Sequence, residues 1–163
     1  MRAAALTLVL ALTLAAPALA ATPEDDVGAV LDQLHAAASK ADGPTYFGLY
    51  TPDAVFIGTD ATERWSMLQF RAYAEPYFAK GHGWTYVPRE RHVILAPVDC
   101  RCVAWFDELL DSKSYGTARG AGVLVKGADG WKISQYVLSF PIPNDVADEV
   151  TARIKAFEAE KGK

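Results

Sequence analysis

From Trp84 to Phe140 the chain reads as four long segments, Trp84 to Leu95, Cys100 to Leu110, Tyr115 to Lys126 and Trp131 to Phe140, parted only by APVD, DSKS and GADG. They are rich in valine, tyrosine, tryptophan and phenylalanine, the residues that suit a pleated, half-buried surface. Connections this short cannot carry a crossover, so neighbouring segments must run antiparallel. A sheet with long apolar strands has to bury a face, and the rest of the chain must supply the cover.

That cover lies mainly before the sheet. Thr22, Pro23, Glu24 and Asp25 start a helix with a hydroxyl cap, a proline at the first helical position and acids against the positive end of the dipole. Val27, Val30, Leu31, Leu34 and Ala38 then recur at three and four, which predicts one buried stripe reaching to about Lys40. Asp42 and Pro44 open a shorter helix that ends at TPD. A first strand is expected from Ala54 to Gly58. Ser66 with Gln69 then spells a capping box, with Trp65 and Phe70 at the staple positions, for a helix running past Pro76 to Phe78. After the sheet, Asn144 caps a last helix with Val146, Val150, Ile154 and Phe157 as its stripe. The class is α+β, with helices gathered on one face of a twisted antiparallel sheet.

Arg2 followed by the uncharged run AAALTLVLALTLAA, Pro17 and Ala18-Leu19-Ala20 reads as a signal peptide over residues 1–20, cleaved after Ala20. Residues 21–163 then form one domain, periplasmic or secreted, with no membrane association after cleavage. The run is shorter than the roughly 20 residues a membrane span needs. A net charge of −4 without a basic stripe leaves no footprint for nucleic acid. The three histidines, His35, His82 and His92, are scattered, and neither a metal site nor a cofactor motif is legible. Cys100 and Cys102, two residues apart on an expected strand, would sit nearly 7 Å apart at Cα, roughly the limit for a bridge. They are expected to be reduced and packed, or bridged to another chain.

The succession FIGTDATERW, VAWFDELL, YGTARGAGVLVK and GWKISQYVLSFPIPN resembles the SnoaL-like branch of the nuclear transport factor 2-like superfamily, across nearly all of the chain after the leader. The resemblance implies a cone: a strongly bent antiparallel sheet wrapped round N-terminal helices, with an open cavity between them. It also implies homodimers paired through the outer face of the sheet. Cyclases, dehydratases, epoxide hydrolases, a ketosteroid isomerase and non-catalytic modules share that cone, so the fold leaves function open. The isomerase uses a carboxylate base with a tyrosine and a protonated aspartic acid. Laid along this chain, that pattern puts Gly58 where the base belongs, with Asp60 two residues later, and puts the acidic partner at about Gly120 to Gly122.

The polar interruptions of the sheet are the candidates for chemistry. Strand alternation sends one of Asp107 and Glu108 inward, and an inward carboxylate needs a partner. Arg119, expected opposite Asp107 or Glu108 with Glu108 preferred, would supply it. Gln135 and Tyr136 lie on opposite strand faces, so one of them faces a cavity. Trp65 and Trp105 would wall or plug it. In RERH, Arg89 and Arg91 share one strand face and Glu90 with His92 the other. Three readings follow. The first is an exported domain binding a small apolar or aromatic molecule with one polar end, through Trp65, Trp105, Glu108, Arg119 and Gln135 or Tyr136. The second is an enzyme using Asp60, Glu108 or His92 as general base with Tyr136 as donor. The third is a dimerisation module with a filled cone.

Overall fold

The computed structural model describes residues 20–162. The expected leader, apart from Ala20, lies outside them. In chain order the elements are α1 (Pro23–Ser39), α2 (Gly43–Gly48), β1 (Tyr50–Ile57), β2 (Arg64–Ser66), α3 (Met67–Phe78), β3 (Val87–Leu95), β4 (Val103–Ser112), β5 (Gly116–Gly127), β6 (Gly130–Ser139), a short 3-10 turn at Asn144–Val146, and α4 (Ala147–Lys161). Local signals set most of these bounds. Thr22 caps α1 in a reciprocal box with Asp25, and Ser66 does the same for α3 with Gln69. Trp65 stacks on Phe70 at 5.8 Å between ring centres, as a staple across that cap requires.

The six strands form one sheet in the order β2-β1-β6-β5-β4-β3. Strands β3 to β6 are an antiparallel meander, while β1 runs parallel to β6 and so brings the first helices back over the sheet. The result is a curved α+β sheet with α1, α2 and α3 on its inner face. Its core joins Val27, Leu31 and Leu34 of α1 to Tyr46, Phe47, Phe56, Phe70, Phe106, Leu124, Ile133 and Tyr136. Phe56 and Phe70 stack with centroids 3.9 Å apart at its centre. None of the residues of α4 is buried, and its stripe leaves Ile154 and Phe157 exposed.

Several expectations need correction. The first strand begins at Tyr50 and not at Ala54, so TPD lies inside it and does not end the helix as a turn, and Asn144 opens the 3-10 turn without capping α4, which starts at Ala147 with no side-chain cap bond. The strand expected from Trp84 begins at Val87, because Trp84 and Tyr86 belong to a connecting segment laid across the mouth of the cone. The strand expected from Cys100 begins at Val103, and Cys100 and Cys102 are disulfide-bonded to each other. The 7 Å spacing assumed extended backbone. Arg101 instead adopts a left-handed conformation with φ 45°, which folds the turn and brings the two Cα atoms to 5.1 Å.

Candidate functional site

Along β4 the buried residues alternate as Ala104, Phe106, Glu108 and Leu110, so the carboxylate turned inward is Glu108, with 0% of its surface exposed, and Asp107 is exposed. A carboxylate in that position must find partners or lose its charge. Glu108 finds three. His35 Nε2 lies 2.7 Å from Oε1, Arg91 Nε donates to Oε2 at 2.8 Å, and the Tyr136 hydroxyl approaches Oε1 at 3.4 Å. Arg91 is itself anchored, with Nη1 donating to the Gly28 carbonyl at 3.0 Å and to Asp32 Oδ1 at 2.8 Å. Its Nη2 is buried with no hydrogen-bond partner among the described residues.

The backbone explains why this cluster fits. Glu108 faces Gly120 across β4 and β5, and a Cβ on Gly120 would lie 2.5 Å from the Tyr136 hydroxyl and 3.0 Å from Glu108 Oε1. Only glycine leaves room for the carboxylate and the phenol to meet there. His35 belongs to the buried stripe of α1, one turn beyond Leu31 and two beyond Val27. Burial by itself would push the Glu108 carboxyl up, but the hydrogen bond and charge of His35 together with those of Arg91 hold it below the usual carboxylate range. Burial, and then the Glu108 charge, push the Tyr136 phenol well above its ordinary value, so it is a neutral donor.

Two adjoining hollows lead to this cluster. An outer vestibule of about 270 Å³ is walled by aromatic rings, among them Trp65, Tyr73, Tyr115 and Phe140. A niche of about 20 Å³ lies beyond it, with His35 and Tyr136 in its lining. Phe56, Trp84, Tyr86 and Leu138 line both. The niche has room for about one water or one guest hydroxyl. The His35 Nδ1 atom has no hydrogen-bond partner among the described residues and is not sealed from solvent, so it remains open to whatever fills the niche.

The other candidates fall elsewhere. Arg119 is exposed and stands opposite Leu109, one residue from the register expected, which turns it to the outer face and leaves the role of partner to Arg91. Trp105 is also on the outer face, 41% exposed, and Gln135 pairs there with Val123. Asp60 occupies the exposed β1–β2 turn, where its side chain accepts from the amide and hydroxyl of Thr62, and those bonds hold its carboxyl below its ordinary value. His92 is exposed beside Glu90 at 3.2 Å. The structure therefore brings Glu108, Tyr136 and Trp65 to the hollow and its base, and sends Asp60, His92, Trp105, Arg119 and Gln135 away from it.

Sequence reasoning missed His35 and Arg91. A signal for His35 existed, since it continues the spacing Val27, Leu31 on a stripe meant for a core. Arg91 gave a weaker one: the strand bulges between Pro88 and Glu90, so Arg89 and Arg91 do not share surroundings, and Arg89 pairs with Asp111 at the surface.

With this geometry in view, the model of the SnoaL-like domain matches residues 27–143. Solved structures share the fold. A candidate dehydratase of the nuclear transport factor 2-like family from Streptomyces avermitilis superposes with a TM-score of 0.61 at 14% identity, over 74% of this chain and 96% of that one. A candidate ketosteroid isomerase from Shewanella frigidimarina gives 0.55 at 19% identity, over 72% and 97%. A candidate calcium/calmodulin dependent protein kinase II association domain from Xanthomonas campestris gives 0.54 at 26% identity, over 74% and 88%. No curated protein matches the chain.

Proposed function

The chain belongs to the SnoaL-like domain family, and from that premise we propose that it binds a small, flat aromatic molecule in the vestibule, with one hydroxyl or carbonyl group directed at His35 and Tyr136. The observation that carries this reading is an aromatic hollow ending in a polar niche whose carboxylate is fully paired. Pockets for drug-sized ligands span roughly 300–1,000 Å³. A vestibule of about 270 Å³ suits one or two fused rings. A carboxylate poised as a general base is commonly one whose pKa is raised. Glu108 is held low by His35 and Arg91, which favours recognition over proton abstraction by that residue.

The test uses 2-naphthol as probe and the fluorescence of Trp65 and Trp84, both in the vestibule wall, as readout. Saturable quenching is expected. His35→Ala should weaken it roughly tenfold, the worth of one hydrogen bond to the guest, and Leu138→Trp should abolish it by filling the passage between the hollows. Quenching that survives Leu138→Trp unchanged would place the guest elsewhere and end this reading.

One observation favours a second reading, an enzyme of acid–base type. His35 is oriented through Nε2 by Glu108, the arrangement that prepares an imidazole to move a proton at its other nitrogen. Chemical change of a bound phenol or enol, lost in His35→Gln with affinity retained, would establish it.

The assembly belongs to the same proposal. A second copy covers the outer sheet face, where Trp105 is exposed beside half-buried Val103, Val123 and Val125. Trp105→Arg is expected to convert a dimer to a monomer in sedimentation velocity, and a wild-type monomer at 100 µM would refute the pairing (about that concentration is a weak-dimer limit). The Cys100–Cys102 bridge supports export to an oxidising compartment.

A further inference from the structure

The turn between β3 and β4 holds a group that the cone and its hollow do not use. Cys100 is exposed and Cys102 half-buried, and their bridge encloses only Arg101. A disulfide stabilises chiefly by closing a loop in the unfolded chain, and the effect is smallest for the shortest loops. This one has little to stabilise in any case, because the strands on either side are already paired from Leu95 with Ala104 onward and the turn is tied by Ala96 N to Val103 O at 2.8 Å and Arg101 N to Val98 O at 3.0 Å. It also spans Arg101, whose φ of 45° lies in the left-handed region that residues other than glycine, asparagine and aspartate seldom adopt. Opening the bridge would remove one constraint on that residue and leave the bond from its amide to Val98 O. Exposed bridges whose opening relieves strain are the ones that exchange.

The surroundings fit a polypeptide substrate. An open trough of about 470 Å³ reaches the residues on either side of Cys100, lined by apolar Ile94, Leu95 and Val98 together with the charged Glu24, Asp99 and Arg101. Ile94 and Val98 are 50% and 45% exposed. The trough follows the end of β3, the edge strand of the sheet, whose outer backbone no other strand pairs among the described residues. Edge strands accept extended peptides.

We propose that Cys100–Cys102 is a thiol–disulfide exchange site that oxidises pairs of cysteine thiols in extended polypeptides lying in the trough along the end of β3. In the forward step a substrate thiolate attacks the exposed Cys100 Sγ, the Cys100–Cys102 bond breaks, and Cys102 leaves as the thiolate. The second substrate thiolate then attacks the substrate sulfur of the mixed disulfide and releases Cys100. The substrate loses two electrons as its disulfide forms, the protein gains them as two thiols, and the two substrate protons pass to Cys100 and Cys102.

The full chain in its oxidised form is mixed with an unstructured peptide carrying two cysteines, and the products are trapped with acid and weighed. Single-turnover oxidation of the peptide is expected at least tenfold faster than by glutathione disulfide at equal concentration. Cys102→Ser, which has no bridge of its own, should take up a peptide adduct at Cys100 when offered the same peptide in its disulfide form, the Cys100 thiolate attacking the peptide disulfide and releasing the other peptide thiol. Ile94→Glu, with the bridge intact, should slow the wild-type reaction several-fold by spoiling the trough, while Arg101→Gly should slow it by removing the backbone constraint. Each variant is checked by circular dichroism. A bridge that stays closed in 10 mM reduced glutathione, or whose forced reduction lowers the melting temperature as a structural staple would, overturns the assignment, as does a rate indifferent to Ile94→Glu (about 10 mM being a strongly reducing glutathione poise).

Discussion

Glu108→Ala is expected to lower the melting temperature by roughly 10–15 °C. Removing one partner from a buried ion pair costs about 3–5 kcal/mol, because the charge left behind is no longer compensated. Here that charge is Arg91, whose side chain is 16% exposed and whose Nη2 already lacks a partner. Asp32 keeps one hydrogen bond to Arg91 but is itself 67% exposed, so it replaces little of what is lost. Stability of a domain this size is about 5–15 kcal/mol, so the loss is a large share of the whole. Glu108→Gln should cost less, since its amide can still bond to His35 or Arg91. Equal melting temperatures for wild type and Glu108→Ala, by differential scanning calorimetry, would show that the cluster adds nothing to stability.

The same carboxylate sets the acid limit. Its folded value lies below the ordinary 4.5, so its contribution is complete above that pH and is lost as pH falls from there through the depressed folded value. Glu108→Gln, which cannot ionise, should flatten that part of the stability curve. A wild-type curve as flat as the variant's below pH 4.5 would contradict the cause assigned here.

Gly122→Ala should be nearly as harmful as Glu108→Ala, and for a different reason. Its Cβ would overlap the backbone carbonyl oxygen of Gln135 on β6 and meet Phe106 at 3.0 Å. Backbone cannot rotate out of the way as a side chain does, so the strands must part at the bulge after Val123, at a cost of about 3 kcal/mol or more. Gly120→Ala makes the contrast. Its obstacles are the ends of two side chains, Tyr136 and Glu108, so a stability loss of about 1–2 kcal/mol is expected. The displaced phenol would nonetheless weaken 2-naphthol binding about tenfold. Urea unfolding and the fluorescence titration, run on both variants, separate the two effects. Equal unfolding midpoints for the pair would remove the argument from backbone overlap.

The register at Gly120 is also where reading the sequence failed most instructively. Alternation made one of Asp107 and Glu108 face inward, yet the partner depended on the length of the turn after Ser112. A shift of one residue put Gly120 rather than Arg119 across from Glu108. Trp105 and Gln135 turn away from the hollow for another reason, alternation within one strand, because Trp105 lies three residues from inward Glu108 and Gln135 is the neighbour of inward Tyr136. For Asp60, a position two residues beyond the strand left its direction undecided, and the side chain satisfies its own turn.

What the sequence determined by itself is what its local chemistry reaches. Caps at Thr22 and Ser66, the stripe of α1, the strand alternation of β4 and the short turns of the meander act over a few residues, and they fix most of the elements, their inner faces and the α+β class. What only the tertiary structure decided is which groups meet. His35 and Glu108 are 73 residues apart, and Arg91 reaches Asp32 across 59. Those meetings come from the packing of α1 on the curved sheet, from a bulge in β3 and from the left-handed Arg101 that brings two cysteines together. A buried charge demands compensation without naming its source, because the energy depends on distance in space and the sequence records only distance along the chain.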